Sequence, residues 1–288
     1  FYTPTYIVDY IVANTVGKLL DGKTPDAVSS LTILDPACGS GSFLIGAYQY
    51  LLDWHLAWYA AHKPEKWASG RNPRIVMTER QGWKLTTEER KRILLNNIYG
   101  VDIDTQAVEV TKLSLLLKVL EGETKNDVDN RLKLFHERAL PDLAANIKCG
   151  NSLIGSDFYN DTQLDLFNEE ERLRINVFDW EKEFKDSFAA GGFDAVIGNP
   201  PYIQLSMAEY YDNNVNNYLL SHYSSSMGRL NTFGFFIEKA LNKLLKNSSG
   251  LLSFIVPNTI LTQSYYKDLR LIMQYNDIKN LTTFRYPV

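Results

Sequence analysis

Several features that would assign this chain at once are missing from it. Only two of its 288 residues are cysteines, Cys38 and Cys149, each beside a glycine. That is too few for a disulfide framework and reads as reduced thiols. No Cys/His spacing suits a metal site, and no metal is expected. No run of about 18 uninterrupted apolar residues is available to span a bilayer. No basic segment followed by an apolar stretch opens the chain, as a secretory signal would. A membrane protein is not indicated, and a cytoplasmic one is the expectation. An excess of positive charge is also lacking: 30 Lys and Arg against 34 Asp and Glu leave a net charge of −4. The chain therefore carries no global electrostatic footprint for nucleic acid. This weighs against a stand-alone DNA binder. It leaves open a DNA-acting enzyme whose basic surface lies in another domain, because phosphate contacts need only a local patch. The first residue is not Met, and Ile278 to Phe284 reads as a strand running to the end. Both suggest a piece of a longer polypeptide.

What is present is an alternation of two periodicities. Tyr6 to Leu20 spaces its apolar residues as a helix. Leu31 to Leu34 is a short buried strand, and a helix follows from about Leu44 to Leu56. Thr87 to Asn96, Thr105 to about Leu120, Thr232 to Leu245 and Tyr265 to Tyr275 are further helices. Ile98 to Asp104, Ile147 to Leu153, Asp194 to Ile197 and Leu251 to Pro257 are further strands. Strand–helix alternation predicts a mostly parallel sheet with helices on both faces. Two stretches interrupt it, about 57–96 and 155–192, and read as insertions. In the first, Arg71 to Arg80 reads as a loop and the tryptophans as cover for the core's flank. In the second, Trp180 and Phe184 are candidate anchors. Glu121 to Arg138 is polar and reads as a loop, and Ile203 to Ser226 as a lid or surface loop.

Four strand or helix ends carry unusual residues. Thr3-Pro4 opens the first helix, where Thr3 is either a cap or part of a turn that meets a carboxylate. Asp35-Pro36-Ala37-Cys38-Gly39-Ser40-Gly41-Ser42-Phe43 joins a strand to a helix. Its glycines permit close approach of a ligand to a helix N-terminus, yet neither a third glycine nor a G-K-[ST] completes a dinucleotide or phosphate loop. Asp102 ends the second strand, where a carboxylate can accept ribose hydroxyls. Asp104 fits the cap of the next helix, and Ile103 an adenine face. Gly150-Asn151-Ser152 ends the third strand; Asn151 either presents donor and acceptor to a base edge or serves the turn itself. The last is Phe193 to Tyr202, F-D-A-V-I-G-N-P-P-Y. A β-branched strand stops at Asn199 and two prolines that forbid both helix and further ladder pairing. Pro141-Asp142 with Glu183-Phe184-Lys185 mimics a nuclease pattern, but the halves straddle a strand and carry no such context.

In order and spacing, D-P-A-C-G-S-G, G-V-D-I-D and I-G-N-P-P-Y resemble the amino-DNA methyltransferases that act on adenine N6. The match is to the gamma arrangement and the Eco57I-like group, in which the methyltransferase region is often fused to an endonuclease and a target-recognition domain. The resemblance covers nearly the whole chain. It implies a Rossmann-like class I methyltransferase that uses S-adenosylmethionine in a restriction-modification system. It also implies a monomer acting on double-stranded DNA with the target adenine flipped out, with other domains of the same polypeptide as partners. It places Thr3, Pro4, Asp35, Ala37, Gly39, Gly41, Phe43, Asp102, Ile103, Asn151 and Ser152 at the cofactor. Asn199, Pro200, Pro201 and Tyr202 fall at the reacting base. Asn151 departs from the Asp often found at its position. Asp194, one residue into the strand, reads as structural. Two competing readings remain: transfer to another amine or amide, such as a protein glutamine or an RNA guanine, and a non-catalytic cofactor-binding or DNA-positioning module.

Overall fold

The computed structural model describes residues 3–78, 82–121, 141–160, 169–205, 213–226, 231–247 and 249–284. Five strands form one parallel sheet: β1 (Ile33–Asp35), β4 (Ile98–Asp102), β5 (Ile147–Cys149), β6 (Ala195–Gly198) and β7 (Leu251–Phe254). Their order is β5-β4-β1-β6-β7. The chain runs outward from β1 through β4 to β5, then crosses back to the other side of β1. The β1–β6 boundary is therefore a topological switch point, where open α/β sheets leave a crevice at the carboxyl ends of their strands. A separate antiparallel hairpin joins β2 (Ile75–Thr78) to β3 (Gly82–Leu85).

Alternation along the strands divides the core between the two faces. Ile33, Ala195 and Ile197 point into the larger cluster, together with Ile98. That cluster is covered by α1 (Thr5–Leu20), α2 (Ser42–Ala61), α3 (Thr87–Asn97) and α4 (Thr105–Leu120). Leu34, Val101 and Val196 point the other way, onto Phe178, Trp180, Phe184, Phe193 and Leu244. Trp180 and Phe184 thus anchor the second interrupting stretch to the sheet. Trp180 meets Phe178 edge to face with ring centroids 5.0 Å apart. Helices α5 (Asn213–His222), α6 (Thr232–Lys239) and α7 (Lys267–Gln274) complete this side.

Three segments differ from the sequence reading. Arg71 to Arg80 is not a loop throughout: Ile75 pairs with Leu85 across the hairpin, and both are buried in the main core. Each strand has only four residues, too few for alternation to declare itself between Pro73 and Gly82. Ile203 to Ser226 includes α5, whose Val215 and Leu219 are buried, so part of the expected lid is packed structure. Ile278 to Phe284 forms no strand; the segment is exposed coil held to α1 by a Tyr10–Thr282 hydroxyl contact of 2.8 Å. Its apolar residues have no neighbouring strand to pair with among the described residues. The polar segment Glu121 to Arg138 lies, beyond its first residue, outside the described residues.

The hairpin, α2 and α3 are tied together by buried charge. Glu89, whose side chain is fully enclosed, accepts from Arg74, Arg92 and the Tyr59 hydroxyl, the last at 2.7 Å. Burial pushes its carboxyl up, but the Arg92, Tyr59 and Arg74 bonds outweigh this and hold it below the usual carboxylate value. Nearby, His55 is fully buried, with Nδ1–H donating to the Leu51 carbonyl at 2.7 Å. Burial pushes its pKa down from 6.5 to about 4.

Both groups make the fold acid-sensitive. Between about pH 6.5 and 4 the unfolded chain binds a proton at His55 that the folded chain refuses, so stability falls as pH drops through that window; Glu89 adds a loss below about pH 4.5. At about 1.4 kcal/mol per unit, the His55 part approaches roughly 3 kcal/mol. Urea melts of His55→Leu should lose most of the slope between pH 6.5 and 4, and Glu89→Ala should cost about 3–5 kcal/mol at pH 7. An unchanged slope in the first variant would remove His55 as its source.

Candidate functional site at the carboxyl edge of the sheet

Parallel pairing places the ends of β1, β4, β5 and β6 along one edge. Asp35, the last residue of β1, is buried, and its Oδ1 accepts the Ala37 N–H at 3.0 Å. The turn beyond it is made by Cys38, whose N–H bonds the Val101 carbonyl of β4 at 3.0 Å, and by two left-handed glycines. At Gly41 (φ +85°) an added Cβ would lie 2.9 Å from the Thr111 side chain. Only glycine satisfies both the angle and the space there. Gly41 is also the N-cap of α2, with no side chain bonding the helix end. Its first-turn N–H groups are therefore open to an anion.

Asp102 faces this loop from the end of β4. Its Oδ2 accepts Gly39 N–H at 2.8 Å and its Oδ1 accepts Asp104 N–H at 2.9 Å. Asp104 caps α4, its carboxylate accepting Gln106 N–H. Ile103 between them stands half exposed, an apolar surface beside the glycine loop. The proximity of Asp102 matters to Asp35. Burial, helped by the Asp102 charge and opposed by the Ala37 N–H, pushes the Asp35 carboxyl from 3.8 up to about 8. A buried carboxyl of this kind is suited to a cationic neighbour, whose charge would restore its ionised form.

The third strand end is more self-contained. Asn151 Nδ2 donates to the Ile175 carbonyl at 3.2 Å and its Oδ1 accepts Leu153 N–H at 3.1 Å. Ser152 Oγ donates to the Pro36 carbonyl, tying this turn to the glycine loop. Phe43 points into the main core, which leaves its main chain, in the first turn of α2, as the part within reach of a ligand.

Beyond β6 the chain turns sharply because Gly198 (φ +154°) has no Cβ; one there would sit 2.6 Å from Asp35 Oδ1. This close approach sets Asn199 beside the end of β1. Asn199 Nδ2 donates to Thr3 Oγ1 at 3.1 Å. Its Oδ1 lies 2.5 Å from the Tyr202 hydroxyl, which also reaches the Ile255 carbonyl at 2.8 Å. Thr3 is buried and does not cap α1: the N-cap is Pro4, with no side-chain bond. Pro200 is buried, whereas Pro201 and Tyr202 are exposed, Tyr202 by 40%. Burial pushes the Tyr202 phenol up to about 12, so it stays protonated at neutral pH. Thr232, at the start of α6, bonds the Pro201 carbonyl and accepts Ile203 N–H at 3.1 Å, which fastens the loop from behind. Sequence reasoning gave Thr232 no role. Its signal was its place one residue after the cap Asn231 of an amphipathic helix.

Asp194 binds Thr32 N–H at 2.8 Å and Lys246 at 2.8 Å and takes no part in the edge. Asp142 turns onto Ala144 N–H and Glu183 pairs with Lys148, so neither half of the nuclease-like pattern is free for chemistry. A cavity of about 510 Å³ opens near β5, lined by Lys112, Lys148, Cys149 and Phe178 among others. None of Asp35, Asp102 or Asn199 lines it.

An order of β5-β4-β1-β6-β7 with a glycine loop, the Asp102 carboxylate and an N-P-P-Y loop on one edge is that of a Rossmann-like methyltransferase domain. Residues 25–140 match the model of an RMKL-like methyltransferase domain. Residues 96–288 match the Eco57I restriction-modification methylase, and the chain belongs to that family. It is 30% identical over 95% of its length to the type II restriction enzyme and methyltransferase RM.Eco57I of Escherichia coli. It is 24% identical over 70% to the adenine-specific methyltransferase PglX of Streptomyces coelicolor. The chain spans 24% and 14% of the lengths of these two relatives. A nuclease-deletion mutant of the Type ISP restriction-modification enzyme LlaGI, solved with a DNA substrate mimic, shares the fold. Its TM-score is 0.54 at 17% identity, covering 94% of this chain and 19% of that one.

The Asp35 carboxyl gives a direct test of the site. Its folded value exceeds the unfolded one, so the folded chain holds a proton between about pH 4 and 8 that the unfolded chain releases, and stability declines as pH rises through that window. Thermal unfolding of Asp35→Asn should coincide with the parent near pH 4 and lie above it at pH 9, by an amount on the order of a few kcal/mol. Parallel curves would mean that the Asp35 carboxyl is not displaced.

Proposed function

We propose that this chain is the methyl-transferring domain of a restriction-modification protein, moving a methyl group from S-adenosylmethionine to N6 of an adenine flipped out of double-stranded DNA. The observation that carries this reading is the Asn199 amide, whose oxygen is turned to the exposed side one strand away from the Asp35 to Gly41 loop. The name of one relative, the adenine-specific methyltransferase PglX, favours adenine over a glutamine or guanine amine.

The residues present fit the cofactor. Asp35 and the uncapped start of α2 offer a buried acid and free N–H groups to an amino acid's ammonium and carboxylate. Asp102 stands where ribose hydroxyls bind and would exchange its Gly39 partner for them; Ile103 offers an apolar face for a purine, and Asn151 and Ser152 close that end. When bound, S-adenosylmethionine supplies an electrophilic methyl group on a sulfonium.

Everything else is orientation. The exocyclic amine of adenine is a weak nucleophile because its lone pair is delocalised into the ring. Asn199 Oδ1 and the Pro200 carbonyl accept its two N–H groups, which localises the lone pair and aims it. Two consecutive prolines keep that pair of acceptors on stiff backbone. Tyr202 offers its ring as a stacking platform for a base that has left the duplex. The surplus proton of the methylated amine leaves to solvent. On this reading the chain acts as a monomeric domain, and its net charge of −4 leaves the choice of DNA target to other parts of a longer polypeptide.

Two outcomes check the reading. Calorimetry should show S-adenosylmethionine binding to the purified chain; none at millimolar cofactor, with the chain folded, would sink it. In the protein that carries this chain, Asn199→Ala should lower methyl transfer by about 100- to 1000-fold, a loss of the size seen when one preorganised polar contact is removed. Cofactor affinity should stay nearly intact, and equal loss of both would make the loop structural. Tyr202→Ala should weaken productive DNA binding by about 10- to 100-fold, in keeping with one lost stacking contact, while Tyr202→Phe keeps most of it.

A further inference from the structure

Thr3 is the buried neighbour of Asn199. Its side-chain oxygen lies 3.1 Å from Asn199 Nδ2, although 196 positions separate the two residues. It is 5% exposed and makes no cap for α1, whose N-cap is Pro4. On the opposite side, Asn199 Oδ1 meets the Tyr202 hydroxyl in the exposed part of the loop. The amide is thus strung between a buried hydroxyl on its nitrogen side and an exposed hydroxyl on its oxygen side.

This asymmetry has a chemical consequence. A carboxamide is nearly symmetric in shape, so packing alone barely distinguishes its nitrogen from its oxygen. An amine substrate offers only N–H donors to this loop, so it is served by one orientation, oxygen outward. Tyr202 does not hold that orientation by itself, because its hydroxyl also reaches the Ile255 carbonyl and has one proton for two acceptors. The partner on the buried side remains. The Thr3 hydroxyl accepts from the amide nitrogen and, although a hydroxyl can also donate, it fixes where the amide sits; a methyl group in its place leaves a buried amide polar atom unpaired and frees the side chain to move.

We propose that Thr3 is a positioning residue for methyl transfer: its hydroxyl anchors the nitrogen of the Asn199 amide, so that Oδ1 is presented to the incoming amine. The role rests on the functional reading above and differs from the cofactor contact that the sequence resemblance implies for Thr3. A contact with the methionine part of the cofactor would show in cofactor affinity. An anchor for Asn199 shows in turnover.

The test uses the protein that carries this chain, with S-adenosylmethionine and DNA containing its methylation site. Thr3→Val keeps the shape and removes the hydroxyl; kcat should fall about 10- to 100-fold, the range for leaving one buried donor unpaired. Cofactor Kd should stay within about 2-fold, a shift too small to signal a lost contact. Thr3→Ser, which restores the hydroxyl, should recover most of kcat. Three results overturn the proposal: unchanged kcat in Thr3→Val, a loss confined to cofactor Kd, or failure of Thr3→Ser to recover turnover. A wild-type protein that binds S-adenosylmethionine but transfers no methyl group would instead sink the functional reading, and this inference with it.

Discussion

The parallel pairing of β1 with β6 joins Ile33 to Ala195 and Leu34 to Val196, and the edge depends on it. Asp194 sets this register. Its Oδ2 takes the Thr32 main-chain N–H just before β1 and the Lys246 ammonium, and its main-chain carbonyl takes Leu251 N–H at the start of β7, so one residue links three adjacent strands. With that register, Asp35 and Gly198 end side by side, close enough that only a glycine fits at position 198. Asp35 and Asn199 inherit their mutual placement from this apposition.

Buried polar groups serve different purposes in different parts of the molecule. Glu89 is enclosed with two guanidinium groups and a phenol, and its charge is fully matched. Asp35 is equally enclosed but has one main-chain donor and a carboxylate as its charged neighbour. The first arrangement holds a hairpin and two helices together. The second keeps a carboxyl protonated at neutral pH beside an uncapped helix and a glycine turn. Displaced titration at a strand end beside such a loop marks Asp35 as a functional-site candidate.

The strand–helix alternation was legible because long helices declare themselves. Thr105–Leu120 repeats its apolar positions over four turns, and Asp104 caps it as its sequence position implies. The hairpin at Ile75–Thr78 and Gly82–Leu85 was not legible, because each four-residue strand gains its meaning from the cross-strand partner. Ile278 to Phe284 erred in the opposite direction: β-branched and aromatic residues suggest a strand, yet the segment has no sheet partner among the described residues and stays exposed coil.

Sequence alone determined the chemical content of the edge. Glycines at 39 and 41, acids at 35 and 102 and Asn-Pro-Pro-Tyr at 199–202 are local patterns whose backbone demands or functional groups are written in consecutive residues. Only the tertiary structure decided which of these groups touch. It assigned the Thr3 hydroxyl to Asn199 rather than to the helix it precedes, tied the Asn151 amide nitrogen to the Ile175 carbonyl, and set Gly198 against Asp35. Those contacts join residues far apart in the chain, and parallel pairing, not local preference, brings them together.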